Sequence, residues 1–276
     1  MVSNMKKPKF SVVSFLDILG YKEIIKDSER VDELFVAVLS AINTTYKDVE
    51  GFVQKDQDNR DARGRDSIIQ TLKYRAISDN IVVSCELYPE PKDRFEYWEN
   101  AVAIGTVLMI QADIQAELLI RHGFLSRGGT TIGDYYVDDE FVFGKALVDA
   151  FELEQNAIYP RILVDEKTRS LFIESAQEAN YNARVEDRGT FQMDYDGEYF
   201  VDYLRVRAHL WKILFGQEFG PNYENLLLEH GRAIDGALVK NGQSIEKSRK
   251  LRQKYAWVRG YQEYLMREYH PRHNDN

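Results

Sequence analysis

The sequence predicts an α+β fold in which one antiparallel-rich sheet is backed by helices and followed by a C-terminal helical extension. Three observations support this class. Short β-rich runs alternate with helical patterns along the first three quarters of the chain. Two of the runs, at residues 72–77 and 81–85, are joined by only three residues, as in an antiparallel hairpin. From Val206 onward the patterns are helical. We therefore expect two units, residues 1–205 and residues 206–276.

The individual elements follow from local patterns. The run FSVVSFL at residues 10–16 predicts a buried first strand. Apolar residues spaced by three and four predict a long helix over Arg94–His122. Residues 54–66 are nearly all charged or polar, which predicts a solvated loop. The remaining predicted elements are helices over Val31–Val49 and Lys145–Gln155, strands at Phe124–Tyr136, Arg161–Asp165 and Tyr199–Tyr203, and helical pieces after Val206 divided at Gly220-Pro221 and Asn241-Gly242.

Composition argues against several functional classes. Of 276 residues, 44% are hydrophobic and 29% charged, as in globular proteins. The formal net charge of −9 lacks the basic surplus of duplex-binding proteins, so no nucleic-acid partner is expected. The single cysteine, Cys85, follows an apolar run and predicts a buried thiol in a reducing compartment. No signal-peptide pattern and no run of ~18 uninterrupted apolar residues occur, so we expect a cytoplasmic protein without a membrane partner.

Two aspartates are candidates for holding metal. Asp17 ends the first strand, and Asp79 lies near the tip of the hairpin. If these strands are neighbours, both carboxylates converge at one sheet edge and repel each other unless a cation lies between them. Hard oxygen ligands favour magnesium or manganese. As an alternative, Asp17 caps the next helix and Asp79 is an ordinary turn residue.

Other site types are not predicted. The turn from Ile18 to Tyr21 leads into a helix, where free backbone N–H groups could bind phosphates. However, the chain has no GxxxxGK[ST] motif, so a P-loop site is not predicted. It also lacks HExxH, paired Cys/His clusters and a GxSxG elbow, which argues against a zinc site and a serine nucleophile of that kind.

Three sequence blocks resemble those of class III adenylate and guanylate cyclases and occur in the family's order. FLDILGYKEII at residues 15–25 resembles the first metal-binding motif. AISDNIVVS at residues 76–84 resembles the second metal hairpin, with serine where glycine is usual. RGGTTIGDYYVDDEFVFGKALVDAFELE at residues 127–154 resembles the later strand, glycine-containing loop and helix. The resemblance covers about residues 10–165 and implies a ferredoxin-like palm core.

The resemblance implies a two-metal enzyme that acts on a nucleoside triphosphate. Asp17 and Asp79 would hold two manganese or magnesium ions per active site, with the Ile18 carbonyl as an added ligand. The ribose 3′-OH would attack the α-phosphate, and pyrophosphate would leave. Active sites in the family form at a dimer interface, which implies a homodimer. The residues expected at the nucleotide are Phe15, Ile18, Leu19, Gly20, Tyr21, Arg75 and Phe141.

Two departures from the family bear on the base. Purine cyclases resemble one another in carrying lysine or glutamate at the position of Arg75, and aspartate or cysteine at that of Phe141. Neither purine pattern is intact here. The chain most resembles the pyrimidine cyclases of bacterial Pycsar antiphage systems. In those systems, cyclic UMP or cyclic CMP triggers a separate effector. Arg75 offers only donors, which favours the two carbonyls of uracil and therefore UTP. If Arg75 instead donates to the O2 carbonyl, which uracil and cytosine share, CTP is equally acceptable. A further alternative is that Arg75 faces solvent.

A third departure concerns the transition state. The family's helix supplies an asparagine and an arginine at the positions of Val148 and Glu152, so another group must stabilise the charge on the α-phosphate. Arg127 is the expected catalytic cation, and Lys145 and Arg161 are further candidates. The alternative is a catalytically inactive, cyclase-like domain that binds a nucleotide and signals by dimerisation.

Overall fold

The computed structural model describes residues 7–26, 30–43, 45, 67–179, 189–210 and 222–269. The described strands are β1 (Lys9–Ile18), β2 (Lys73–Ile77), β3 (Asn80–Glu86), β4 (Ser126–Val137), β5 (Val142–Phe143), β6 (Ile162–Val164), β7 (Phe191–Met193) and β8 (Tyr199–Val201). The described helices are α1 (Tyr21–Ile24), α2 (30–43), α3 (Arg94–His122), α4 (Lys145–Asn156), α5 (Glu166–Glu178), α6 (Tyr203–Arg205), α7 (Tyr223–Lys240), α8 (Gly242–Lys247) and α9 (Arg249–Tyr269). A 3₁₀ turn (Ile68–Thr71) precedes β2, and a π-helical turn (Val206–Leu210) follows α6.

The strands form one mixed sheet in the order β2-β3-β1-β4-β6-β8-β7, and β5 pairs with β4 beside this path. The pairs are antiparallel except for β4 and β6, which run parallel. Helix α3 packs on one face of the sheet and α4 on the other. The predicted class, an α+β fold with an antiparallel-rich sheet backed by helices, is confirmed.

Most of the predicted elements are confirmed, α3 with the predicted bounds. The predicted strand at 199–203 ends at Val201 because the Asp202 carboxylate accepts from the Arg205 N–H, 3.2 Å away, and begins α6. Helix α5 and strands β5 and β7 were not predicted. Parts of three predictions lie outside the described residues: the end of the helix at 31–49, the loop at 54–66, and the break at Gly220-Pro221.

Helix α3 is the centre of the core. It begins at Asp93, whose carboxylate accepts from the Glu96 N–H, and ends at Gly123, whose φ of 70° is left-handed. The helix is long and apolar enough to cross a membrane, but 89% of its most apolar window is buried inside the protein. Burial on all sides explains why it is apolar all round.

The C-terminal helices share this core. Leu226 and Leu227 of α7 and Tyr261 and Leu265 of α9 belong to the same hydrophobic cluster as the buried residues of β1 and α3. The extension is therefore packed onto the sheet-bearing part of the chain. The domain boundary at residue 205 stays a prediction.

Helix α4 lies unusually close to β4. A Cβ atom added to Gly129 would lie 2.3 Å from the Ala150 carbonyl oxygen and 2.5 Å from Leu153 Cβ. Only glycine permits this approach. It brings the C-terminal half of α4 against the end of β1, where the candidate site lies.

Candidate active site

Asp17 and Asp79 meet at one edge of the sheet, as the sequence predicts. Asp17 pairs with Asn80 of β3 on one side and with Arg127 of β4 on the other. The two-residue turn between β2 and β3 places Asp79 directly before Asn80, and Ser78 adopts a left-handed φ of 61° there. The Ile18 N–H donates to the Asp79 carbonyl at 3.2 Å, which ties the turn to the end of β1.

The Asp17 carboxyl lies among carboxylates. Its pKa is raised to about 7, first by burial and then by the charge of Glu154, while the Arg127 guanidinium opposes the shift. A hydrogen bond to the Asp79 side chain raises the pKa further. Three carboxylates and one guanidinium therefore crowd this edge, and their negative charge is not fully neutralised.

Glu154 is a site residue that sequence reasoning missed. Its side chain is buried on α4, and its Oε1 lies 2.6 Å from Arg127 Nε. Arg127 Nε is also 3.6 Å from Asp17 Oδ2, so Arg127 bridges the two carboxylates. Ala146, Ala150 and Glu154 are the buried residues of α4, spaced by four. A carboxylate in line with two alanines on the inward face of a helix was the available signal.

The contact between Glu154 and Arg127 is an ion pair without hydrogen-bond geometry. Glu154 Oε1 and Arg127 Nε are both buried side-chain atoms with no hydrogen-bond partner. A second contact holds the guanidinium, because Arg127 Nη1 donates to the Ala157 carbonyl at 3.3 Å. Arg127 is thus fixed at the end of α4, with unused hydrogen-bonding capacity facing Asp17 and Glu154.

The donor set fits hard divalent cations. Asp17 and Asp79 supply carboxylate oxygens in mutual contact, the arrangement that a cation between them would relieve. Among the described residues, no group of three or more His, Cys, Asp or Glu side chains is arranged to hold a metal ion. Sites for magnesium bound to nucleotide phosphates need only one or two protein carboxylates, since the phosphates supply further oxygens. Asp17 and Asp79 are thus the residues that would hold such ions.

The turn after Asp17 is short, and several of its backbone N–H groups already have acceptors within the protein. The Leu19 N–H donates to the Leu125 carbonyl at 2.8 Å, and the Glu23 and Ile24 N–H groups donate to the Gly20 carbonyl. Gly20 has a left-handed φ of 87°, and nothing lies within 4 Å of the position of a Cβ atom there. Tyr21 begins α1, a helix of four residues, and packs against the main core.

Arg75 and Phe141, the two predicted base-recognition residues, are brought together through the turn before β5. Arg75 Nη2 donates to the Asp138 carbonyl at 2.6 Å and to Asp139 Oδ1 at 3.1 Å. Asp138 Oδ1 accepts from the Phe141 N–H at 3.0 Å. The Phe141 ring is half exposed and lies 5.3 Å from the Tyr136 ring.

Other predicted site residues have structural partners. Phe15 packs edge-on against Phe151 of α4, with 5.5 Å between the ring centroids. The buried Arg161 guanidinium pairs with Asp194 and Asp196 on the far side of β6, so Arg161 is excluded as the transition-state cation. Lys145 pairs with Asp149 one turn along α4.

Val148 and Glu152 occupy the exposed side of α4, away from the buried Glu154. Val148 is 55% exposed, which is unusual for its size. The two positions at which the family has transition-state residues therefore point away from the Asp17 site of the same chain.

A second missed residue is Lys254 of α9. Its ammonium is half-buried, and its pKa is lowered, first by burial and then by the positive charge of Arg127. The charge of Asp17 acts in the opposite direction. The C-terminal extension therefore places a cation within electrostatic reach of the candidate site. No local signal marked Lys254, because its position depends on how α9 packs.

No family model matches the sequence, and no curated protein matches it. Solved structures similar to the chain are domains of adenylyl and guanylyl cyclases. The adenylyl cyclase CyaB from P. aeruginosa is 13% identical over 62% of this chain and 84% of that chain, with a TM-score of 0.38. The guanylyl cyclase domain of the RhoGC fusion protein from the aquatic fungus Blastocladiella emersonii is 13% identical over 72% of this chain and 98% of that chain, with a TM-score of 0.41.

A third similar structure is a class III adenylyl cyclase-like ATP-binding protein from Pseudomonas aeruginosa, 13% identical over 68% of this chain and 42% of that chain, with a TM-score of 0.38.

Proposed function

We propose that this protein is a nucleotidyl cyclase that converts UTP to 3′,5′-cyclic UMP and pyrophosphate. The observation that carries the proposal is the convergence of Asp17 and Asp79 at the end of β1, where the Ile18 N–H donates to the Asp79 carbonyl at 3.2 Å. Two carboxylates that share a hydrogen bond, with Glu154 nearby and Arg127 as the cation in direct contact, suit a site that binds divalent cations and a polyphosphate.

In the reaction, the ribose 3′-hydroxyl releases its proton to water, its oxygen forms a bond to the α-phosphorus, and the bond from that phosphorus to the bridging oxygen breaks. Pyrophosphate leaves with the electron pair. Two manganese or magnesium ions would polarise the phosphate and lower the charge of the triphosphate. Asp17, Asp79 and the Ile18 carbonyl are the groups proposed to hold them. Arg127, braced by Glu154, keeps the Asp17 carboxylate in place and is the proposed stabiliser of charge on the α-phosphate.

Base recognition is assigned to the turn held by Arg75. The half-exposed Phe141 ring offers an apolar face on which a pyrimidine or its ribose can pack. Four hydrogen bonds occupy Arg75, to the Tyr74 carbonyl and to Asp138 and Asp139, so one of its five N–H groups, on Nη1, is available to a carbonyl acceptor. A single donor suits UTP if it meets the O4 carbonyl of uracil, which cytosine lacks, and CTP with cyclic CMP as product is the nearest alternative.

A homodimer is part of the proposal. Large apolar side chains are exposed around α4, at Phe143, Val148 and Phe151. A cluster of this kind is typical of a surface that a second copy covers. The antiphage role, in the cytoplasm and through a separate effector that senses the product, follows from the sequence resemblance alone.

Purified protein incubated with ATP, GTP, CTP and UTP plus manganese tests the proposal, with cyclic products resolved by mass. A single cyclic pyrimidine product establishes the activity and distinguishes UTP from CTP. If a confirmed dimer forms no cyclic product from any of the four nucleotides, the proposed activity is wrong.

A second candidate is an inactive, cyclase-like domain that binds a nucleotide and signals by dimerisation. The observation that favours it is the exposure of Val148 and Glu152 on α4, where neither side chain can stabilise a phosphate. Under this alternative, the nucleotide binds in a metal-dependent manner and is recovered unchanged.

A further inference from the structure

A cleft of about 470 Å³ opens beside the turn that follows Asp17. On one side it is lined by Leu19 and Gly20, the second and third residues after Asp17. On the other side it is lined by the C-terminal extension, including Lys250 and Lys254 of α9. The cleft therefore lies between the predicted catalytic part of the chain and its extension, and it begins where the metal-holding strand ends.

The cleft is locally basic in an acidic protein. Among the described residues of its lining, Arg30, Lys250 and Lys254 are cationic and Glu23 is a carboxylate. The whole chain carries a formal net charge of −9, so the cleft departs from the protein's average. A concave surface with an excess of one charge concentrates ligands of the opposite sign. The occupant that this charge favours is an anion.

Two of these cations have hydrogen-bonding capacity that the described residues do not use. Lys254 makes no ion pair or hydrogen bond with any other residue in the described part of the chain. The Nε atom of Arg30 is buried and has no hydrogen-bond partner. Buried donors without acceptors are costly, and native proteins usually satisfy them with water, an ion or a ligand. A multivalent anion with several oxygens would satisfy both at once.

The position of Lys254 relates the cleft to the reaction. Its charge interacts with those of Asp17 and Arg127 at the candidate site and with those of Glu23 and Lys250 in the cleft lining. Because the cleft lining begins at Leu19, two residues after Asp17, a triphosphate whose α-phosphate lay at Asp17 would have its terminal phosphates on the cleft side. Lysine is a common point-charge ligand for such groups.

We propose that this cleft binds the terminal phosphates of the nucleoside triphosphate, with Lys254 as the main contact and Arg30 and Lys250 in support. The inference rests on the proposed function for the identity of the substrate. Under it, the C-terminal extension is part of the active site, and the leaving pyrophosphate departs from the surface of α9.

The test measures binding separately from turnover. Affinity for inorganic triphosphate in the presence of Mg²⁺ is measured by calorimetry on the full chain, and KM and kcat for UTP are measured alongside. Lys254→Met removes the charge and keeps an apolar stem of similar length. We expect it to weaken triphosphate binding about tenfold or more and to raise KM comparably. Lys254→Arg should stay within about threefold of the unaltered protein.

Arg249→Ala is the matched control, because Arg249 is exposed on the same helix and does not line the cleft. It should leave both constants unchanged, and thermal melting confirms that each variant is folded. Should Lys254→Met melt early, Lys250→Met, at an exposed position of the lining, provides a second reading.

The outcomes separate the two proposals. If the unaltered protein binds triphosphate through Lys254 but forms no cyclic product, the cleft assignment is supported and the proposed cyclase activity is rejected. If it cyclises UTP while Lys254→Met and Lys250→Met bind triphosphate normally, the cleft assignment is overturned. Failure of the unaltered protein to bind triphosphate also overturns it.

Discussion

Glu154 and Arg127 lie 2.6 Å apart at the end of α4, and this pair sets the position of the guanidinium that contacts Asp17. Arg127 therefore forms ion pairs with two carboxylates, those of Glu154 and Asp17. Since the buried Glu154 side chain is the nearer partner, it decides where Arg127 stands and how much negative charge Asp17 experiences.

Glu154→Gln should destabilise the protein by roughly 1 to 3 kcal/mol, because it removes the nearer partner of a partly buried guanidinium. Relief of the repulsion between Glu154 and Asp17 keeps the loss below that of an isolated buried pair. Chemical denaturation measures the change. Glu152→Gln, exposed on the same helix, is the control and should stay within about 0.5 kcal/mol. Equal effects of the two substitutions would contradict the assigned role of Glu154.

Asp17→Asn should raise the melting temperature of the metal-free protein at pH above 7. Burial and neighbouring carboxylates raise the pKa of Asp17 from 3.8 to about 7. The stabilising contribution of this group is therefore complete below pH 3.8 and is lost as the pH rises through 7. Asparagine cannot ionise, so it avoids that loss. Asp32→Asn, exposed on α2, should leave the melting temperature unchanged.

Manganese should reverse the order of melting temperatures, so that the unaltered protein melts above Asp17→Asn. It should stabilise the unaltered protein by mass action, and it should stabilise Asp17→Asn and Asp79→Asn much less. Both variants should lose turnover by at least about a hundredfold, with the dimer retained. A normal manganese-induced shift in either variant would remove that residue from the proposed metal ligands.

Gly129→Ala should cost about 3 kcal/mol or more, because the new Cβ would meet the backbone of α4 at Ala150. The displacement moves Glu154 away from Arg127, so turnover should fall as well. Gly236→Ala is the matched control. Gly236 lies inside α7 with nothing within 4 Å of the added Cβ, so alanine there should stabilise the protein by up to about 1 kcal/mol.

Stability should decline between pH 6.5 and pH 4 partly through His230. This buried imidazole contacts Gln262 Oε1, which can only accept, through Nδ1, and a neutral ring then accepts from the Tyr203 hydroxyl at Nε2. Its pKa is lowered from 6.5 to about 4 by burial. Because the unfolded chain binds a proton that the folded chain does not, the contribution is present above pH 6.5 and lost as the pH falls towards 4.

His230→Gln tests this dependence. We expect the free energy of unfolding of the variant to change by roughly 3 kcal/mol less than that of the unaltered protein between neutral pH and pH 4. Titrating carboxylates are common to both proteins and cancel in the comparison. Parallel pH profiles would show that His230 does not carry the effect.

Arg75→Ala should reduce discrimination between UTP and CTP more than it reduces the dependence on metal. The substitution also releases the Asp138 carbonyl and loosens the turn that carries Phe141. Competition among the four triphosphates in one reaction measures the preference. Lys73→Ala, at an exposed position of the same strand, should leave the preference unchanged. If Arg75→Ala also leaves it unchanged, Arg75 does not belong to the base pocket.

The sequence predicted the parts of the site that depend on local pattern. Asp17 interrupts an apolar strand, and Asp79 occupies a two-residue hairpin turn, so both could be placed from their neighbours in the chain. Their convergence needed only that the two strands be adjacent. Arg161 misled the prediction because its proximity in sequence to a motif says nothing about the side of the sheet on which its guanidinium is buried.

The remaining features depend on tertiary contacts. Lys254 reaches the site only because α9 packs against the core, more than 200 residues along the chain from Asp17. Helix α5 has few buried apolar residues, chiefly Phe172 and Ala176, so its apolar period is weak. Strand β5 has two residues, too few for an alternating pattern to be visible.

The burial of α3 has a consequence for how the chain is made. One side of this helix packs on strands that are synthesised early or soon afterwards, but another is covered by α7, which begins about 100 residues after α3 ends. At about 5 to 20 residues per second, a ribosome needs roughly 5 to 20 s to add those residues. During that interval, the most apolar of the described helices lacks its full cover. Nascent chains should therefore depend on a chaperone or on slow, post-translational closure to avoid aggregation.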